Sequence, residues 1–172
     1  MLTRALAAED FELVTSVMDT WWGGRPVRAL LHRLFFEHFG TTSFVVTDGG
    51  NLVAFLVGFR SQSRPQVAYI HFVGVAPESR GAGIASELYR RFFATVKALG
   101  CTEVQAVTSP GNTGSIAFHR RLGFVILQGN GEREGVPVML DHGGPGQHKV
   151  LFHRTLGEVD GGPGSEDVGK SG

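Results

Sequence analysis

The stretch from Ala68 to Phe93, AYIHFVGVAPESRGAGIASELYRRFF, restricts the fold more than any other part of the chain. It opens as an apolar run of the kind found in a buried strand. Further on, apolar residues recur at helical spacing, from Ile84 through Leu88, Phe92 and Val96 to Leu99. Between the two lies RGAGIA, in which nothing bulkier than isoleucine follows Arg80. A strand that enters a helix through so bare a turn leaves room for something to lie against backbone at the helix N-terminus.

The flanking sequence sets the elements around this unit. LTRALA reads as a first strand, and EDFELVTSVMDTWW as a helix with Phe11, Val14, Val17, Met18 and Trp21 or Trp22 on one face. Pro26 suits the first turn of a second helix through VRALLHRLFFEHF, stopped by Gly40. TSFVVTD and LVAFLVGFR, joined by GGN, predict a β-hairpin. A strand follows from Val67 to Val75, then the long helix ending at Gly100. TEVQAVT predicts a further strand, TGSIAFHRRLG a short helix, and FVILQG with HKVLFHRTL a closing pair of strands. The order is that of a mixed α/β domain with an antiparallel start, not of a repeated βαβ series.

At 172 residues the chain fits one domain that buries a core without metal or disulfide. Residues 1–156 form it, and 157–172, with almost no apolar residues, read as a disordered tail. Sixteen basic and sixteen acidic side chains balance to zero, which gives no global signature of nucleic-acid or membrane binding. The single cysteine, Cys101, excludes an intramolecular disulfide framework and a cysteine-rich zinc pattern, so no metal is expected. Acids in the first residues and the lack of a long apolar run argue against a signal peptide or membrane span. The expectation is a soluble, cytoplasmic protein, monomer or homodimer.

Three readings of RGAGIA compete. It can be a tight turn that needs small residues only for packing. It can be a dinucleotide fingerprint, since GAGIAS nearly matches G-x-G-x-x-G. Yet APESR separates it from the strand, and the ribose-binding acid is missing where it belongs, because Glu103 sits at the start of the next strand. Or it can be a pyrophosphate cradle, with unpaired N–H groups from Gly81 to Ala85 aided by the helix dipole and by the charge of Arg80.

VGVAPESRGAGIASEL resembles the acetyl-CoA motif of the GNAT superfamily of N-acetyltransferases, Gln/Arg-x-x-Gly-x-Gly/Ala, with Arg80, Gly83 and Ala85 in its fixed places. NTGSIAFHRRLGF is similar to the second motif of that family, an Asn followed by a short helix ending in aromatic-Tyr-x-x-Leu-Gly-Phe. The resemblance implies a central, mostly antiparallel sheet of about seven strands, with a V-shaped splay between strands 4 and 5 and about four flanking helices. It implies acetyl-CoA as co-substrate, its pantetheine arm paired with backbone at Val73, Gly74 and Val75. Its pyrophosphate would lie on Arg80, Gly81, Ala82, Gly83, Ile84 and Ala85, and Asn112 and Ser115 match positions that contact the arm. Asn112 also fits an ordinary helix cap.

The activity implied is direct transfer of an acetyl group to a primary amine. A base is needed because an alkylammonium has a pKa of about 10. No glutamate stands between Arg60 and Glu78, where many family members have one, but His71 does. With Tyr69 it resembles the two-His arrangement of arylalkylamine acetyltransferases, and an imidazole suits the task. Strand alternation puts Tyr69, His71, Val73 and Val75 on one face and Ile70, Phe72 and Gly74 on the other. A buried His bonded to a backbone carbonyl is the plainer reading. His119 departs from the family pattern by replacing the Tyr that protonates the departing thiolate, a role in which an imidazole can still donate a hydrogen bond to the sulfur. For the acceptor, Trp21 and Trp22 with Asp19 and Glu37 can hold an aromatic or cationic amine, or the tryptophans can be core. A small-molecule amine is the first reading of the acceptor. A protein N-terminus or lysine, or a non-catalytic acetyl-CoA-binding regulator, are the alternatives.

Overall fold

A computed structural model describes residues 1–157, so the expected tail, apart from Gly157, lies outside the described residues. In chain order the elements are β1 (Leu2–Ala5), α1 (Asp10–Trp21), a 3₁₀ turn (Arg28–Leu30), α2 (Leu34–His38), a 3₁₀ turn (Gly40–Thr42), β2 (Phe44–Asp48), β3 (Asn51–Arg60) and β4 (Val67–Val75). A third 3₁₀ turn (Pro77–Ser79) leads to α3 (Ile84–Ala98), β5 (Glu103–Thr108), α4 (Thr113–Arg121), β6 (Val125–Ile126), β7 (Gly131–Arg133), β8 (Val136–Val138) and β9 (Val150–Thr155). Seven strands make one sheet in the order β1-β2-β3-β4-β5-β9-β6, and β7 with β8 forms a separate hairpin. Every pair in the large sheet is antiparallel except β4 with β5.

Alternation along β3 builds two cores. Ala54 and Leu56 face α3, where Leu88, Phe92 and Val96 pack with Ile70, Val104 and Phe152. Phe55 and Val57 face α1, against Val14, Met18 and Trp21 with Leu31 and Phe36. Full burial of each such side chain contributes about 1.5–3 kcal/mol. Leu99, expected on the buried stripe of α3, is 44% exposed because it stands at the C-cap, where the helix turns into Gly100. No helix among the described residues is long and apolar enough to cross a membrane.

The second helix does not form as one piece. Asp19 Oδ1 accepts the N–H groups of both Val27 and Arg28 at 2.8 Å, which starts a turn under α1. Leu31 then enters the core at 2% exposure with extended backbone (φ −119°, ψ 92°). The Leu30 carbonyl, which a continuing helix would bond internally, is taken by His71 Nε2 at 2.8 Å. The β7–β8 hairpin was not expected from the sequence either; its strands are three residues each.

Alternation along β4 also departs from the simple period. The register moves from Val57↔Phe72 to Gly58↔Ile70, so His71 is an extra residue, a β-bulge. Ala68, Ile70, Val73 and Val75 therefore pack toward α3. Phe72 packs with the α1 core, and a side chain at Gly74 would meet Phe55 and Trp22 there. His71 stacks on Phe35 of α2, on that same side.

At the bulge, Gly58 lets the sheet touch α3 directly. A Cβ there would stand 2.5 Å from Phe92 Cε2 and 2.9 Å from the Tyr69 carbonyl oxygen. Gly58→Ala is expected to lower unfolding free energy by about 1–3 kcal/mol through overpacking, read as a lower urea midpoint with an unchanged slope.

Candidate active site

β4 and β5 pair only at Val67↔Glu103, Ala68↔Val104 and Tyr69↔Gln105. From Ile70 onward β4 keeps β3 on one side, while β5 turns wholly to β9 on its other side. The β5-facing backbone of β4 up to Val75 thus has no strand partner, and a polar extended arm can add to it as a strand would.

At the open end of this edge the chain passes into α3. Gly81 and Gly83 both have φ of +80°, and the helix start at Gly83 has no side-chain cap. No protein atom lies within 4 Å of where a Cβ would stand on either residue, so backbone conformation, not packing, calls for glycine. The N–H groups of Gly81, Ala82 and Gly83 find no acceptor among the described residues. Those of the first helical turn are unpaired by geometry. They surround a cavity of about 340 Å³ lined by Arg80, Gly81, Gly83, Ile84 and Ala85. Val75 lines it too, and Ser79, Ser86, Phe118 and Arg121 complete it, four residues the sequence reading did not pick out. Phe118 and Arg121 are three apart on α4, a spacing that places them on one face. Two of Arg80's donors are bonded to backbone, Nη2 to the Trp21 carbonyl at 2.6 Å and Nε to that of Val75 at 3.2 Å. Arg121 forms no ion pair among the described residues.

A second cavity of about 530 Å³ adjoins the first, since Val75 and Arg80 line both. Val73, Gly74 and Val75 line it together with Trp22, Arg25 and Asn112. A Cβ on Gly74 would come within 2.8 Å of the Trp22 ring, so the indole rests on bare strand. Asn112 also caps α4, its Oδ1 accepting the Ser115 N–H at 3.2 Å.

The remaining candidates separate. Trp21 is 9% exposed and stacked on Phe55, with ring centroids 6.0 Å apart, so it is chiefly core although it reaches the cavity wall. Glu37 lines neither cavity and stands beside His38 on α2. Asp19 is used inside the fold, as described above. Tyr69 packs beside Phe59, and burial raises its phenol pKa.

His71 and His119 are both held neutral, by different surroundings. Burial lowers the His71 pKa, outweighing the Leu30 carbonyl that favours its charged form. Because a carbonyl only accepts, Nε2 carries the proton, and Nδ1 has no hydrogen-bond partner among the described residues. His119, 6% exposed, lies flat against Phe152 with ring centroids 4.2 Å apart. Its Nδ1–H donates to the Ser115 carbonyl at 2.8 Å, and its Nε2 accepts from the Tyr89 hydroxyl at 3.0 Å. Burial lowers its pKa as well, against the opposing effect of the Ser115 bond. The His119 ring therefore offers no free N–H to the cleft, in contrast to the donor expected from the sequence.

A model of the acetyltransferase (GNAT) family matches residues 8–124. The mycothiol acetyltransferase of Pseudarthrobacter chlorophenolicus is 34% identical over 82 residues, 46% of this chain and 25% of that protein. The L-2,4-diaminobutyric acid acetyltransferase of Shouchella clausii is 29% identical over 86 residues, 50% of this chain and 48% of that one. The match with these curated relatives thus spans half of their length or less. Among solved structures, Ard1 from Thermoplasma volcanium superposes with a TM-score of 0.72 at 22% identity, covering 91% of this chain and 98% of that one.

The neutral histidines fix the sign of a pH effect. Their folded pKa values lie below the ordinary 6.5, so the unfolded chain binds protons that the native one does not. Unfolding free energy is expected to be level above neutrality and to fall as pH drops below about 6.5. In His119→Phe that decline should be shallower at every pH step, as measured by urea titrations from pH 7.5 to 5.

Proposed function

The chain belongs to the GNAT acetyltransferase family, and from that premise we propose that it transfers the acetyl group of acetyl-CoA directly to the primary amine of a small molecule. One observation carries the reading: an unpaired β4 edge runs into a turn of bare amides, and the two share one trough. That is the shape and polarity of a cofactor with an amide-bearing arm and a pyrophosphate. The mycothiol and L-2,4-diaminobutyric acid acetyltransferases are both named for small molecules, which supports the choice of acceptor class.

Acetyl-CoA supplies an acetyl group already activated as a thioester. The chain's part begins with the amides from Gly81 to Ala85, which receive the pyrophosphate, aided by the charge of Arg80 and by Arg121 on the opposite wall. Val73 to Val75 pair with the arm through backbone, and an N–H near Val73 faces the acetyl oxygen as negative charge develops there. Asn112 bounds the arm from the α4 side, while Ser115 lines neither cavity and has its hydroxyl 3.2 Å from His119 Nδ1.

His71 is the proposed base. A ring kept unprotonated by burial, with Nε2–H fixed on Leu30, leaves the Nδ1 lone pair to take the ammonium proton directly or through water. Tyr69 remains a phenol at neutral pH and offers a hydroxyl to the amine or that water. With both His119 nitrogens bonded inside the fold, solvent returns the proton to the thiolate, a weak base with a pKa of about 8.5. His119 then acts by holding α4 against α3 and β9. Trp22 covers the arm, and Trp21 supports it from the core. An amine acceptor and acetyl-CoA are the partners this scheme requires, in a soluble cytoplasmic setting.

Thiol release across a panel of small amines and peptides tests the reading; turnover with small primary amines is expected to exceed that with peptides. Gly83→Glu adds negative charge and bulk at the cradle and is expected to abolish acetyl-CoA binding in calorimetry while circular dichroism stays native. Unchanged affinity in that folded variant would remove the cradle from the scheme.

His71→Ala should lower kcat by roughly a hundredfold or more and flatten the acidic limb of the pH profile, with acetyl-CoA affinity unchanged. A profile identical to that of the unaltered protein would rule the imidazole out as base.

A further inference from the structure

The β7–β8 hairpin reverses through Glu134 and Gly135, with Arg133 opposite Val136. Both turn residues have positive φ, 52° and 75°, the geometry of a two-residue type I′ turn. Its first position favours Asn, Asp or Gly, and a glutamate held there is strained. Nothing within the hairpin compensates, for Glu134 forms no ion pair among the described residues.

What the turn does is aim a carboxylate. The Glu134 side chain lies over Gly111 in the β5–α4 loop, where a Cβ on Gly111 would stand 3.4 Å from Oε1 and 3.5 Å from Oε2. The next residue, Asn112, lines the cavity above Val73 to Val75. The charged residues lining that cavity and its neighbour are Arg25, Arg80 and Arg121, with no Asp or Glu. Glu134 itself lines neither cavity; it stands as an unpaired anion beside Gly111, next in sequence to Asn112, close to a trough whose own charges are cationic.

We infer that Glu134 binds an ammonium group of the acceptor at the rim formed by the β7–β8 turn and the β5–α4 loop. The inference rests on the acetyl-transfer reading above and adds the group that recognises the incoming amine. An alkylamine arrives protonated, its pKa being about 10, and a cation is drawn to this rim and away from the arginine-lined cofactor end. A carboxylate also leaves uncharged amides and alcohols unselected.

The test compares the unaltered protein with Glu134→Gln, Glu134→Asn and the control Glu132→Gln, using a diamine and its matched monoamine. Glu134→Gln is expected to raise the acceptor KM about tenfold or more, with the KM for acetyl-CoA unchanged. Glu134→Asn should lose acceptor affinity equally while melting at the same or a higher temperature, because Asn suits the turn. A purely structural role would couple the two losses. Equal effects on both amines place the reacting nitrogen at Glu134; an effect confined to the diamine places its second nitrogen there. An acceptor KM in Glu134→Gln equal to that of Glu132→Gln and the unaltered protein overturns the inference. If the unaltered protein acetylates neither amine, the acetyl-transfer reading fails. Calorimetric amine binding, equal in the unaltered and Glu134→Gln proteins or weaker in the latter, then decides Glu134 separately.

Discussion

The parting of β4 from β5 is the constraint on which the other features of this protein depend. Two central strands begin as parallel neighbours and separate after three residue pairs, although each keeps a full antiparallel partner on its outer side. A backbone group needs a partner, and here several lie in series in the middle of a sheet with only the open trough beside them. Such an edge is held open by its neighbours, not by itself. The His71 bulge bends β4, α3 fastens the strand to its core face, and Trp22 lies on bare Gly74 on the other. The glycine turn, the α4 wall and the β7–β8 rim then stand along the deficit from one end to the other.

Much of this was legible in the sequence where local chemistry decides. The Val67–Val75 strand, the glycine turn and the helix beginning at Ile84 each follow from neighbouring residues alone. Features that distant residues impose were not legible. The break in the second helix depends on Asp19, eight and nine positions before the amides it binds. The bulge at His71 depends on how β3 is registered against β4, so period-two alternation wrongly grouped His71 with Val73 and Val75, and Ile70 with Phe72 and Gly74. The surroundings of His119 come from α3, α4 and β9 together, which no spacing within FHRRLGF reveals. Glu134 had a readable signal, a glycine directly after it, but strands of three residues have too little periodicity to announce a hairpin.

The two histidines illustrate how one residue type is put to different uses by its surroundings. Both are uncharged because burial disfavours the imidazolium. In His119 each nitrogen has a partner, which makes the ring a fixed strut between helix and sheet. In His71 a backbone carbonyl fixes the tautomer and leaves the other nitrogen unspent. Sequence alone gives both the same ordinary pKa; the count of satisfied nitrogens distinguishes them.

The short β4–β5 pairing also divides the chain as a folding problem. β1 to β4 form one antiparallel group, and β5, β6 and β9 form a second. Only three residue pairs of one strand pair join the groups through the sheet, with the crossover helix α3 and its core holding them from one face. A ligand lying along this seam touches both groups at once and binds only when they are docked. Its free energy of binding is therefore added to the stability of the docked domain. The cleft that serves chemistry is, in folding terms, a hinge line for which the ligand is the clasp.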